Sequence, residues 1–194
     1  MAFKQILGIT IAAFLLDFAT GYSLSSYFAL TPATALFQPW TFITSIFLHG
    51  NLLHIFFNMF GLLMFGPLLE QKIGEKNFIL LYLTCGILGN IGYVITSGLT
   101  STVPVVGASG AIYGILGALA LLQPNLVVFV GFIPMPIYIA AIFWFFMEFG
   151  NGITGSQPGI ANFAYVFGLF GGLVIGKILK NKIISKGHWL YDQN

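Results

Sequence analysis

Arginine is absent from this 194-residue chain, and charge of either sign is scarce: lysines and acids together make up 6% of it, against about 25% in a soluble domain. Seven lysines and five acids cannot coat a water-soluble sphere of this size, which excludes a soluble globular enzyme. A formal net charge of +2 without arginine builds no basic face, so no nucleic-acid partner is expected. The single cysteine, Cys85, excludes an intramolecular disulfide framework and a cysteine-based zinc cluster. Disorder is excluded from the opposite side, since disordered chains are poor in hydrophobic residues and this one is 58% hydrophobic with a mean hydropathy of +0.95. What remains is an all-α membrane protein, read as one membrane domain over residues 1–194.

The apolar runs break only where polar residues, glycine and proline gather. They divide the chain into six transmembrane helices at about 5–22, 52–69, 78–97, 107–122, 137–149 and 160–179, with 180–194 as a tail. A helix needs roughly 20 apolar residues to cross a bilayer and satisfies its own backbone there. The period-two alternation of a membrane β-barrel is missing. Residues 23–50, with Pro32, Pro39 and Trp40, read as a long semi-polar connection, and 126–134 as an apolar approach to span five. With six spans, Lys4, Lys72, Lys76, Lys177, Lys180, Lys182 and Lys186 all fall on one side, which makes both termini cytoplasmic by the positive-inside rule. Span one is followed by no small-residue cleavage site and reads as a retained anchor.

Polar groups at membrane depth are costly and mark function or packing. Asp17 and Glu148 fall near the outer ends of spans one and five, where each is expected to snorkel to water; Asn90 is expected to bond a neighbouring helix. His54 and Asn58 are four apart and share one face of span two, with His49 just before it. An interhelical hydrogen-bond network accounts for such a trio. A metal site fits poorly, because no carboxylate or cysteine stands near to complete four ligands. Gly107-Ala108-Ser109-Gly110 opens span four, and Ser109 taken alone reads more readily as a serine bonded to its own helix than as a catalytic one. Gly110, Gly114 and Gly117 in span four and Gly168, Gly172 and Gly176 in span six predict backbone-to-backbone packing of that pair.

Together these elements resemble the rhomboid family of intramembrane serine proteases. The resemblance runs from Pro39-Trp40 through the His49/His54/Asn58 spacing, Glu70-Gln71-Lys72-Ile73-Gly74 and Gly107-Ala108-Ser109-Gly110 to the glycine row ending at Gly176. It implies a six-span fold without cofactor or metal, in a cell membrane, acting on transmembrane protein substrates within the lipid bilayer. It also implies Ser109 as nucleophile, His54 and Asn58 as the oxyanion hole, and His49 as a shaper of the preceding loop. Gly107 is the glycine that lets the chain approach the substrate carbonyl, Tyr113 packs beside the family's catalytic histidine, and Gly110, Gly168 and Gly172 are packing glycines. That histidine stands three residues before the first glycine of span six; here the position holds Tyr165. Thr41 also replaces the arginine that usually follows the Pro-Trp pair.

The substitution bears on chemistry. A serine hydroxyl needs a base to take its proton, and a phenol with a pKa near 10 is ionised in only about one molecule in a thousand at neutral pH. His188 follows span six on the cytoplasmic side, roughly 30 Å from Ser109, and His54 is placed by the resemblance as an oxyanion donor. Two readings follow: a rhomboid-type endopeptidase disabled at its base position, or a pseudoprotease that binds transmembrane helices without cutting them. A transporter is disfavoured by the absence of an internal repeat and of a mid-span carboxylate. The larger Tyr165 ring is expected to displace its surroundings. Span five, read as 13 residues, and the loop 150–159 are expected to form a lateral gate and cap, with Phe145, Phe146 and Phe149 plugging the gap to span two.

Overall fold

A computed structural model describes residues 1–155 and 161–185. The elements are α1 (Ala2–Ala19), α2 (Ser25–Phe28), α3 (Thr41–Thr44), α4 (Leu52–Ile73), α5 (Glu75–Ser97), α6 (Ser109–Leu122), β1 (Val127–Val130), β2 (Ile133–Pro136), α7 (Ile137–Thr154) and α8 (Asn162–Ser185). Among the described residues, α1, α4, α5, α7 and α8 are long and apolar enough to cross a membrane. The expected fourth span is α6, an apolar helix of 14 residues and about 21 Å, shorter than a hydrocarbon core of about 30 Å.

The short helix sits in the middle. Nearly all of α6 is buried, and it packs chiefly against α8 and α5. The glycine rows make this possible. A Cβ on Gly176 would stand 2.9 Å from the Ala118 Cα, and one on Gly168 or Gly172 would run into the carbonyl of Gly110 or Gly114. On the third side, a Cβ on Gly89 of α5 would lie 2.8 Å from the Ala164 carbonyl oxygen. The predicted backbone contact between spans four and six is therefore present, and α5 joins it. Without a hydrophobic driving force between helices in lipid, such close packing is what holds them together.

Several boundaries differ from the expectation, each for a visible reason. The second span does not stop at Glu70: α4 continues to Ile73 and ends at Gly74, whose φ of +77° favours glycine. Glu70 is no breaker because its carboxylate accepts the N–H groups of Ala2 and Phe3 at 2.8 and 2.9 Å, capping α1. The Met1 ammonium lies 3.4 Å from Glu75, so the chain begins beside the α4–α5 turn and its Lys72 and Lys76. Helix α7 has 18 residues rather than 13 and ends at Gly155, with φ +62°. The expected loop 150–159 is thus helical through Thr154; its residues 156–159 and the expected start of span six at 160 lie outside the described residues, as do Lys186 and His188 in the tail. The apolar approach to span five is an antiparallel hairpin, turning at Gly131. Asp17 does not reach water: it is fully buried and accepts hydrogen bonds from the Ser25 N–H and hydroxyl, because the chain after α1 folds back over it.

Candidate active site

The connection before α4 builds one wall of the site. Asn90, on α5, donates to the Phe42 carbonyl of the short helix α3 at 2.8 Å and to Ser45 Oγ just after it at 2.9 Å, which is the neighbour bond expected of it. The Ser45 carbonyl in turn accepts the Gly107 N–H at 2.9 Å. Leu30 and Val105 pair through both backbone bonds, at 3.1 and 2.8 Å. The segment leading into α6 is thereby fixed against the connection from α1.

Gly107 is required at its position twice over. Its φ is +125°, and a Cβ there would stand 2.7 Å from the His54 ring and 3.5 Å from Ser109 Oγ. The imidazole edge and the serine hydroxyl therefore border the same small space. His54 lies in the first turn of α4, where Asn51 caps the helix by accepting the His54 N–H at 2.9 Å. Asn58, one turn on, donates to the His54 carbonyl at 2.9 Å, and its buried Oδ1 has no partner among the described residues. His49 is buried, and its ring meets that of His54 edge-on at 4.9 Å. Burial, and secondarily the neighbouring His54, push its pKa down to about 3, against the opposing Phe47 carbonyl. His49 is consequently a neutral packing ring at physiological pH.

His54, Asn58, Gly107, Ser109, Tyr113 and Tyr165 line a cavity of about 620 Å³. The cavity brings together these residues, up to 111 positions apart, from His54 to Tyr165. The N-terminus of α6 opens here, with no side-chain cap among the described residues, so the first amides of the helix have no intrahelical partner.

The Tyr165 ring does not part α6 from α8. Its ring stacks on Tyr113 at 5.0 Å and 12°, its hydroxyl interacts with Ser109, and one turn away Gly168 still touches Gly110. The flat stack lets a larger ring occupy the slot without separating α6 from α8. Tyr113 is itself held from behind. Its hydroxyl donates to Glu148 Oε1 at 2.7 Å, and Asn162 Nδ2 donates to Oε2 at 2.7 Å. Glu148 is 5% exposed, contrary to the expectation that it snorkels: α7 docks on α8 and α6, which turns this carboxylate inward. Sequence reasoning missed the Tyr113–Glu148–Asn162 clamp; an acid in so apolar a helix was its only signal.

Replacing Glu148 by Ala should leave the Tyr113 hydroxyl without its buried acceptor, at about 1–3 kcal/mol, and remove the Asn162 bond to Oε2. The expected result is a clearly lowered thermal unfolding midpoint in detergent, with Glu148→Gln lying between Ala and the native residue. An unchanged midpoint for Glu148→Ala would show that the clamp carries no stability.

The aromatic plug also takes a different form. Phe145 stacks on Phe149 at 5.8 Å and Phe149 meets Phe163 of α8 at 6.1 Å, while Phe146 is 66% exposed. These rings lean on α8 or face outward. On the α4 side, Leu53 and Phe57 are the apolar part of the cavity wall, beside His54 and Asn58.

A rhomboid domain matches residues 36–182, and the chain belongs to the rhomboid family. It is 40% identical over 101 residues to YdcA of Bacillus subtilis (strain 168), covering 52% of this chain and 46% of that protein. It is 33% identical over 143 residues to RHOMBOID-like protein 6, mitochondrial, of Arabidopsis thaliana, covering 73% and 44%. To rhomboid protease GluP of Bacillus subtilis (strain 168) it is 36% identical over 134 residues, covering 69% and 24%. The chain spans less than half the length of each of these relatives. Family membership and the apolar helices together make it a multi-pass membrane protein.

Proposed function

We propose that this chain is a rhomboid-type intramembrane serine endopeptidase, built to cut transmembrane helices near their outer ends, whose hydrolysis is held down by Tyr165 at the general-base position. Both termini lie on the lysine-rich, cytoplasmic side of a cell membrane, and the cavity opens toward the other side. The observation that carries the reading is the meeting of Ser109 Oγ and the His54 edge over Gly107, in a cavity that Asn58 and Tyr165 also line.

In the reaction this site is shaped for, the Ser109 hydroxyl gives its proton to the base as Oγ bonds to the scissile carbonyl carbon. The negative charge that develops on the carbonyl oxygen is met by His54 and Asn58; one such donor is worth about 2.7–4 kcal/mol. The C–N bond then breaks, the base returns the proton to the leaving amine, and water repeats the cycle on the acyl-enzyme. A phenol does not perform the first transfer at neutral pH, so substrate is bound and turned over slowly or not at all. The snug seating of Tyr165 on Tyr113 favours a second reading, a pseudoprotease that uses the same cavity to hold transmembrane helices.

Both readings require a substrate helix at the cavity. A photocrosslinking residue at Leu53, in liposomes with a single-span test protein, should capture the outer third of that protein's helix. Capture spread evenly along the helix, or of lipid alone, would remove the substrate assignment.

A further inference from the structure

The β1–β2 hairpin has two unlike faces. In its register Val128 pairs with Met135 and Val130 with Ile133, and Val128, Val130 and Met135 pack on the core. Val127 and Phe129 point the other way, opposite Pro136 and Pro134. They are 58% and 66% exposed, and Phe132 at the turn is 100% exposed. From Pro124 to Pro136 the chain carries no charge, and Asn125 is its single polar side chain. A hairpin with one face in water normally alternates apolar and polar residues; this one is apolar on both.

We propose that the hairpin is an interfacial membrane anchor. It lies along the headgroup layer on the lysine side, with Phe129 and Phe132 inserted into the acyl region of that leaflet. Its depth is set by the last turn of α6, where Lys180 Nζ donates to the Leu121 carbonyl at 2.9 Å. An ammonium is costly in the hydrocarbon centre and settles at the interface, so α6 ends at that level. The hairpin begins a few residues later, its base closed by the Ile137 N–H on the Leu126 carbonyl at 2.8 Å. The lipid-facing surface of the neighbouring helix α7, with Ile139, Ile142 and Phe143 exposed, continues into the same apolar face.

The backbone fits this layer and no deeper one. A two-stranded hairpin has open edges, and unsatisfied backbone groups do not persist in hydrocarbon. In an antiparallel pair, alternate residues direct their N–H groups outward. Proline cannot donate across the ladder, so Pro134 and Pro136 occupy the outward positions of β2. The outer edge of β2 consequently lacks N–H donors at both, which suits a layer where water is limited. Lys177, Lys180 and Lys182 on the adjoining end of α8 favour anionic headgroups at this level.

Nitroxide labels on Phe129→Cys, Phe132→Cys and Asn125→Cys test the proposal; Cys85 is buried and serves as the unlabelled background. The full chain is reconstituted in phosphatidylethanolamine–phosphatidylglycerol liposomes, and relaxation by oxygen is compared with relaxation by a water-soluble nickel chelate. Oxygen should dominate at 129 and 132, at depths of about 5–10 Å below the headgroups, with the chelate gaining at 125. Adding Phe132→Asp should shift the 129 label toward the chelate. Chelate dominance at 129 and 132 would place the hairpin in water and overturn the proposal. Exclusion of both reagents would also overturn it: dipolar broadening that disappears on dilution with unlabelled chain would identify a second copy as the occupant, and its absence another protein surface. The readout is independent of proteolysis, so it stands or falls apart from the function proposed above.

Discussion

Tyr165→His should raise cleavage of a reconstituted transmembrane substrate by about 10⁴-fold or more, the scale on which serine proteases lose turnover when one member of the triad is removed. The surroundings are already in place. The ring at position 165 stacks on Tyr113 and addresses Ser109, and Tyr113 is fixed by Glu148. An imidazole is smaller than a phenol and needs no repacking of the glycine contacts between α6 and α8. It supplies what the phenol lacks, a nitrogen that accepts the serine proton near neutral pH. The effect should appear in kcat with little change in substrate affinity, since the exchange alters proton transfer and leaves the cavity wall intact. Equal rates for the two forms, measured side by side in liposomes, would show that another group serves as base.

Gly172→Leu should prevent recovery of the folded protein. A side chain at this position meets the Gly114 carbonyl, in the middle of the α6–α8 contact, and backbone cannot yield as a flexible side chain can. The two helices would have to separate, undoing the packing of Gly168 and Gly176 at the same time. A loss above about 4 kcal/mol is expected, the range of severe overpacking. Gly8→Leu is the matched control: the same chemical change in α1 with nothing within 4 Å. Size-exclusion profiles in mild detergent should be monodisperse for Gly8→Leu and aggregated or empty for Gly172→Leu. Normal recovery of Gly172→Leu would mean that the helices are not held at glycine distance.

The features legible in the sequence were those with a short period or a fixed spacing. Glycines four apart on spans four and six gave the helix pair because only small residues permit such an approach. His54 and Asn58 gave one face of one helix by the 3.6-residue turn. The features that escaped depend on where elements meet. Glu148 reads as an interfacial acid if span five is 13 residues long; in an 18-residue helix docked on α8 the same carboxylate faces Tyr113 and Asn162. Asp17 reads as water-facing until the chain returns with Ser25. Glu70 reads as a helix stop, although its oxygens are needed by the start of a helix some seventy positions away. The hairpin was hidden because a short apolar run fits a strand or a helix equally well.

The central claim is that Ser109 is a nucleophile awaiting a base, and labelling of Ser109 by a fluorophosphonate tests it most directly. The reagent reports serine activation without requiring substrate, gate or turnover. Four forms are compared in the same liposomes: the native sequence, Tyr165→His, Ser109→Ala, and Tyr165→His with Ser109→Ala. The account predicts rapid labelling of Tyr165→His, slow or absent labelling of the native sequence, and none in either Ser109→Ala form. Labelling of the native sequence as fast as Tyr165→His, or labelling that survives Ser109→Ala, would contradict it.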